Sequence, residues 1–313
     1  MATIDVSAGL GEAPDAGRRS RRDFRFGGNL WLAIRSNRKA SVGLGILVFF
    51  VILAIVPQWL EPGDPAAEIY PRMAGPSAAH WLGTTAYGQD ILAEVIWGAR
   101  PALVIAILAG LFATVLSVLI GVSAAYLGGI ADDLLNLFTD VFLVIPTLPL
   151  VIVIAAYAKH SSVTVLIIVL VITGWSYGAR QLRSQALSLR NRDFLQAAKV
   201  RGERSSYVIV FEVLPTMTSL IVANFLGAAL YAILTASGLE FLGLGDTSSV
   251  DWGTMLYWAE NNEALQTGQY LWAVVPGVCI ALLGTSFALL NNAFDEISNP
   301  ALRPVRRLRV THS

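Results

Sequence analysis

Residues 193–215 read DFLQAAKVRGERSSYVIVFEVLP, a polar, arginine-rich island set between long apolar runs on both sides. A charged segment between hydrophobic spans belongs at the aqueous surface of a membrane protein, and basic residues mark the cytoplasmic surface. The island therefore reads as a cytoplasmic docking element. Asp193 can accept from the backbone amide of Gln196 while Gln196 reaches back to Asp193, a capping box that opens a short helix. Gly202 closes it, because glycine adopts left-handed dihedrals without steric cost. The expected helix, Phe194–Arg201, makes about two turns at 3.6 residues per turn, and Pro215 stops the segment that follows.

The whole composition agrees with a bilayer as solvent. The 313 residues are 55% hydrophobic and 14% charged, with mean hydropathy +0.61, more apolar surface than a soluble domain of this size buries. A crossing needs about 20 apolar residues, and six runs qualify: Ala40–Leu60, Ala102–Leu127, Leu134–Ala158, Val163–Tyr177, Ser219–Leu239 and Leu271–Ala293. The fourth is short and is expected to continue as helix past Gly178. The implied organisation is a basic N-terminal segment at 1–39, disordered up to about Phe24, a first span at 40–60 and an external loop at 61–101. A five-span core at 102–293 follows, with the cytoplasmic island at 180–215, and then a basic tail at 294–313.

Net charge is zero, but its distribution is lopsided. Of the 22 basic residues, 19 fall before the first span, in the island or in the tail, leaving Arg72, Arg100 and Lys159 for the other side. Both termini are therefore expected in the cytoplasm. The Gly128–Asp133 turn lends no support, having two aspartates and no basic residue. The first apolar run starts at Ala40 and is long enough to remain as an anchor rather than be cleaved as a leader. A single cysteine, Cys279, excludes an intrachain disulfide and reads as a packing residue.

Ser117, Gly121 and Ala125 recur every four residues in the second span, the pattern of a close helix interface rather than of a pore. Pro146 and Pro149 should kink the third.

The island resembles the EAA loop of ABC-importer permeases, a Glu-Ala-Ala, Gly, Ile-x-Leu-Pro pattern matched by Gln196, Ala197, Ala198, Gly202, Leu214 and Pro215. Gln196 stands in place of Glu and Glu212 in place of Ile. The match widens to the second permease subunit of dipeptide and oligopeptide importers. It runs through His80-Trp81-Leu82-Gly83-Thr84, Gly88-Gln89-Asp90, Gly98-Ala99-Arg100, Phe241-Leu242-Gly243-Leu244-Gly245, Trp252-Gly253, Met255-Leu256, Pro276-Gly277, Asn299-Pro300 and Leu302-Arg303, in that family's order and spacing. Trp81, Thr85 and Gln89 depart from it. The resemblance covers about Ser36 to Arg303.

It implies an all-α type I ABC importer permease with six transmembrane helices in a bacterial plasma (inner) membrane. Its implied partners are a homologous second permease, two cytoplasmic ATP-binding subunits and an external substrate-binding protein; no nucleic-acid partner is expected. The implied coupling helix, seated in a groove of an ATPase subunit with its alanines giving close approach, comprises Asp193, Phe194, Leu195, Gln196, Ala197, Ala198, Lys199, Val200, Arg201 and Gly202.

A phosphate-cradling loop needs a lysine directly after glycine. Lys39, Lys159 and Lys199 follow Arg38, Ala158 and Ala198, so ATP and Mg are expected on partner subunits and the chain is expected not to be an enzyme. His80, His160 and His312 have no carboxylate or cysteine at ligand spacing and read as loop residues.

Two rival classes compete with this reading. Gly243-Leu244-Gly245-Asp246 fits the Gly-x-Gly-Asp signature of intramembrane aspartyl proteases, whose chemistry needs a second aspartate. Asp140 is the candidate, but it lies at the opposite end of its span. An ion-coupled secondary transporter would place ionisable residues in its spans, which singles out Glu240, either a substrate-path residue or an outer acid facing water. Asn224, Asn291 and Asn292 read as interhelical hydrogen bonders, with Asn224 a second candidate for the path. Against a carrier stand the island and the lack of an evident inverted repeat. Peptides are the expected substrates, with oligosaccharides or nickel as alternatives within the same architecture.

Overall fold

Asp90 decides where the longest helix begins. In the computed structural model, which describes residues 37–61, 63–157 and 162–298, its carboxylate accepts from the amides of Leu92 at 2.8 Å and Ala93 at 3.3 Å. The 1–36 segment, Lys159, His160, Asn299-Pro300, the 299–313 tail with His312, and the side chain of Lys199 lie outside the described residues.

Helix α1 spans Arg38–Ile55, capped by Asn37, and a separate turn, α2, Pro57–Leu60, follows. The first span thus ends at Ile55 rather than at Leu60, interrupted where Pro57 cannot donate to the preceding turn. Helix α3 is Ile91–Leu127, 37 residues with Pro101 inside. At 1.5 Å per residue it runs about 56 Å, well beyond the ~30 Å of hydrocarbon. The Asp90 cap starts this helix well before the apolar run at Ala102.

The third apolar run is two helices, α4 Gly129–Val144 and α5 Thr147–Tyr157, bent by 83°. The helix is broken here rather than merely kinked. Ile145, extended at φ −66° and ψ 127°, precedes Pro146 and is driven out of helical dihedrals by the proline ring. Pro149 falls in the first turn of α5, where a missing N–H costs nothing. Helix α6, Val163–Leu189, continues well past Tyr177.

The island folds as α7 Asp193–Val200, α8 Ser205–Val208, a π-helical turn Ile209–Val213, and α9 Leu214–Thr216. Then come α10 Thr218–Phe241, α11 Trp252–Asn261 and α12 Tyr270–Ser298. Among the described residues five helices are long and apolar enough to cross a membrane, or six if the bent α4–α5 pair counts as one. No strand occurs among them beyond a bridge between Thr84 and Asp90.

Helix α3 is the hub, packing on α6 and α10, while α10 packs on α12 and α12 on α1. Lipid tails are as apolar as leucine, so such helices hold together by close backbone approach. Gly121 supplies it: a β-carbon there would run into the carbonyl of Ala179 on α6. Ser117 donates to the carbonyl of Trp175 at 2.6 Å, and Ser117, Gly121 and Ala125 are all buried. The small-residue stripe therefore forms the α3–α6 interface.

At the N-terminal end of α3, residues 63–90 and 242–269 form one cap. Gly83 and Gly88 both sit at φ +84°, and a β-carbon on Gly83 would come 2.5 Å from the Ala74 carbonyl. Thr84 and Thr85 are fully buried; Thr84 accepts from the Ala74 amide at 2.9 Å. His80 Nδ1 lies 2.6 Å from Asp90 Oδ2, so this histidine has a carboxylate partner that its sequence spacing did not suggest. Trp252 donates to the Val95 carbonyl at 2.9 Å, and Gln269 to that of Met73 at 2.8 Å.

Candidate functional site

Helix α7 lies between the C-terminal end of α6 and the N-terminal end of α10. Its N-terminus differs from the expected capping box. Asp193 is the first helical residue, the amides of Leu195 and Gln196 donate to the Arg192 carbonyl, and the Gln196 side chain reaches the Arg190 carbonyl at 3.5 Å. The C-terminus matches expectation. Gly202 adopts φ +75°, Arg201 N donates to Ala197 O at 3.0 Å and Glu203 N to Ala198 O at 3.2 Å, the bond pattern of a Schellman ending.

The two alanines face opposite ways. Ala198 is 0% exposed and, with Leu195, packs into a cluster of Val122, Ala125, Leu182, Ala186, Val208, Val213 and Met217. Its small size serves contact with this chain's own helices, a correction to the expectation that both alanines line an outside groove. Ala197 is exposed, as are Asp193 and Gln196, together with Phe194 and Val200, the last 88% exposed. A short helix that buries residues three apart and leaves Phe194, Ala197 and Val200 bare presents an unpaired apolar edge.

Beside it, Tyr207 and Phe211 are half-exposed and in ring contact, centroids 4.8 Å apart. The only signal of this pair in the sequence is its spacing, aromatic residues four apart on one helical face. Glu212, which stands where the resembled motif has Ile, lies 3.9 Å from Arg201, whose Nε donates to Glu203 at 2.7 Å. The replacement thus lies beside a basic partner. The π turn directly before Leu214-Pro215 and the break at Met217 separate this unit from α10; such turns occur where helices are interrupted for function.

Helix α6 is tied to α4 by ion pairs. Arg183 grips Asp132 in two-point fashion at 2.6 and 2.8 Å, and Arg180 pairs with Asp140. The Arg190 guanidinium lies over Gly128, 2.7 Å from where a β-carbon would stand. These partners account for Asp132 and Asp140, two of the three aspartates of α4, and for part of the island's basic charge.

The two candidate path residues separate. Asn224 lines a cavity of about 410 Å³ between α4, α6, α10 and α12, together with Thr173, Gln181, Tyr231, Asn291 and Asp295. Gly178 makes room for it, since a β-carbon there would meet the Asn224 amide. Glu240 does not line that cavity. It is 4% exposed, meets the carboxyl of Asp251, and is packed against two glycines: β-carbons on Gly245 and Gly253 would stand 2.8 Å from its Cγ and 2.5 Å from its Cβ. Its surroundings are therefore not water, which revises the expectation of an outer acid facing water. Asp251 caps α11, accepting from Thr254 N at 2.8 Å. Asp246, the other half of the protease pattern, accepts from Ser248 in its own loop, and Asp140 from Arg180 and Asn136.

Comparison with known proteins bears on all of this. Residues 117–303 match the family described as binding-protein-dependent transport system inner membrane component, and residues 26–76 match the N-terminal transmembrane domain of oligopeptide transport permease C. The dipeptide transport system permease protein of Alkalihalophilus pseudofirmus is 32% identical over 275 residues, covering 86% of this chain and 88% of that protein. An oligopeptide transport system permease protein of Mycobacterium tuberculosis is 28% identical, covering 87% and 93%. A nickel transport system permease protein of Escherichia coli is 30% identical, covering 86% and 96%.

Proposed function

The chain belongs to the family of binding-protein-dependent transport system inner membrane components, and we propose that it forms half of the translocation path of a peptide-importing ABC transporter. Most of the curated relatives reported above carry dipeptide or oligopeptide names, which supports peptides over nickel. In this reading the bent α4–α5 pair is the third of six spans, both termini lie in the cytoplasm, and the membrane is the bacterial inner membrane.

The observation that carries the reading is the bare edge of α7. A two-turn helix anchored inward by Leu195 and Ala198 and exposing Phe194, Ala197 and Val200 suits a groove on a cytoplasmic ATP-binding subunit. ATP and Mg are held there, on two such subunits, and a homologous second permease and an external binding protein complete the assembly. Closure of the ATP-binding pair pulls on α7. Because α7 is continuous in packing with α6 and α3, and α6 is clamped to α4 by Arg183–Asp132, the pull reaches the helices around the Asn224 cavity. The family supplies transport, not catalysis, so the chain's contribution is mechanical: alternate opening of that cavity to either side.

Deleting the gene and comparing uptake of labelled tripeptides, cello-oligosaccharides and nickel with the parent strain tests the substrate. Loss of tripeptide uptake alone supports this reading. Loss confined to sugar or nickel overturns the peptide assignment while leaving the architecture.

A further inference from the structure

The cavity that Asn224 lines holds a single charge. Of the described residues around this space of about 410 Å³, only Asp295 is ionised; the polar remainder, with Thr173, Gln181, Asn224, Tyr231 and Asn291, is neutral. Asp295 is partly exposed and lines the cavity, and its carboxylate has no hydrogen-bond or ion-pair partner among the described residues. The acids of the neighbouring helices differ. Asp132 and Asp140 on α4 are held by Arg183 and Arg180, and Glu240 on α10 meets Asp251. Neither arginine lines the cavity.

The position of Asp295 on its helix adds to the effect. It lies in the last turn of α12, which carries no basic residue. The C-terminal end of a helix already bears a partial negative charge, so the carboxylate deepens that potential instead of offsetting it. A cleft lined by one sign of charge between low-dielectric walls focuses the field on whatever enters, and ionisable side chains among membrane spans mark pathways. The amides and hydroxyls around Asp295 can hydrogen-bond to the backbone of any peptide. Only Asp295 distinguishes one charge from the other.

We propose that Asp295 sets the charge specificity of this cavity, favouring peptides with a cationic side chain over those with an anionic one. An ammonium or guanidinium that comes within about 4–6 Å of the carboxylate is attracted, and a carboxylate at that distance is repelled. The proposal rests on the reading of this cavity as half of a peptide path. Selection by an external binding protein is a separate step, common to every variant of this chain.

The test is ATP-driven uptake by the complete assembly in proteoliposomes, with labelled Ala-Lys-Ala, Ala-Glu-Ala and Ala-Ala-Ala as probes and the binding protein held constant. The termini of the three are alike, and Ala-Ala-Ala corrects for the amount of active assembly. Relative to the unsubstituted chain, Asp295→Asn is expected to lower the ratio of Ala-Lys-Ala to Ala-Glu-Ala uptake about fivefold or more, and Asp295→Glu to preserve it. An unchanged ratio in Asp295→Asn overturns the proposal, and so does an equal fall in Asp295→Glu. Should Asp295→Asn fail to assemble, Gln181→Lys, which sets an opposing charge in the same cavity, decides in its place: a comparable fall supports the proposal and an unchanged ratio overturns it. No uptake of any probe by the unsubstituted assembly overturns the peptide reading and the proposal with it, whereas uptake of all three with a ratio that Asp295→Asn does not move overturns the proposal alone.

Discussion

The backbone amide of Glu203 donates to the carbonyl of Ala198 at 3.2 Å. That bond wraps the chain around the end of α7 and sets the angle at which the helix meets α8. Its geometry requires Gly202 at φ +75°, where a side chain finds open space but unfavourable dihedrals. Gly202→Ala is therefore expected to cost about 1 kcal/mol and to lower transport more than thermal stability. Gly202→Asn should recover part of the loss, because asparagine tolerates the left-handed region better than alanine. Uptake in proteoliposomes together with melting temperature checks both.

Ala198→Asp would bury a carboxylate in an apolar cluster with no partner, at a cost of several kcal/mol. The expected result is loss of folded, monodisperse protein in detergent, not a folded chain that merely fails to couple. Size-exclusion chromatography of the variant distinguishes the two.

Gly121→Ala should push α3 away from α6, since the added carbon meets the Ala179 carbonyl directly. Overpacking of this kind costs about 1–3 kcal/mol. A fall in melting temperature without loss of α7 docking is the expected outcome, and an unchanged melting temperature would show that the two helices are not held as closely as described.

How much of this could be read from the sequence differs by region. Apolar runs located α10 and the start of α12 closely, and Pro276 inside α12 does not interrupt that helix. They misplaced α3, whose start is fixed by the Asp90 cap and whose first three turns carry Glu94, Arg100 and Pro101 among the apolar residues. Prolines were visible at 146 and 149, but whether Pro146 kinks or breaks a helix depends on Ile145 going fully extended, a choice made in three dimensions. In α7 the ending at Gly202 was legible because φ above zero selects glycine. Which alanine faces inward was not, because the helix period is the same for either face and only the cluster around Leu195 decides it. Glu240 stood out as an acid in an apolar run; its contact with Asp251 and with Gly245 and Gly253 brings together residues from a later loop that no spacing rule joins.

Asp90→Ala should remove both the cap of α3 and the partner of His80. The lost cap alone is worth about 1 kcal/mol, and faster protease cleavage in the 61–90 segment is the expected sign. His80→Ala, which leaves the cap intact, should cost less.

The most direct test of the coupling account is Ala197→Asp, assembled with its ATP-binding partners in proteoliposomes and assayed for ATP-driven tripeptide uptake. Ala197 is exposed and outside the inner cluster, so the chain should insert and remain monodisperse while uptake falls to background. Uptake equal to that of the unsubstituted chain would contradict the docking of α7 through its bare edge.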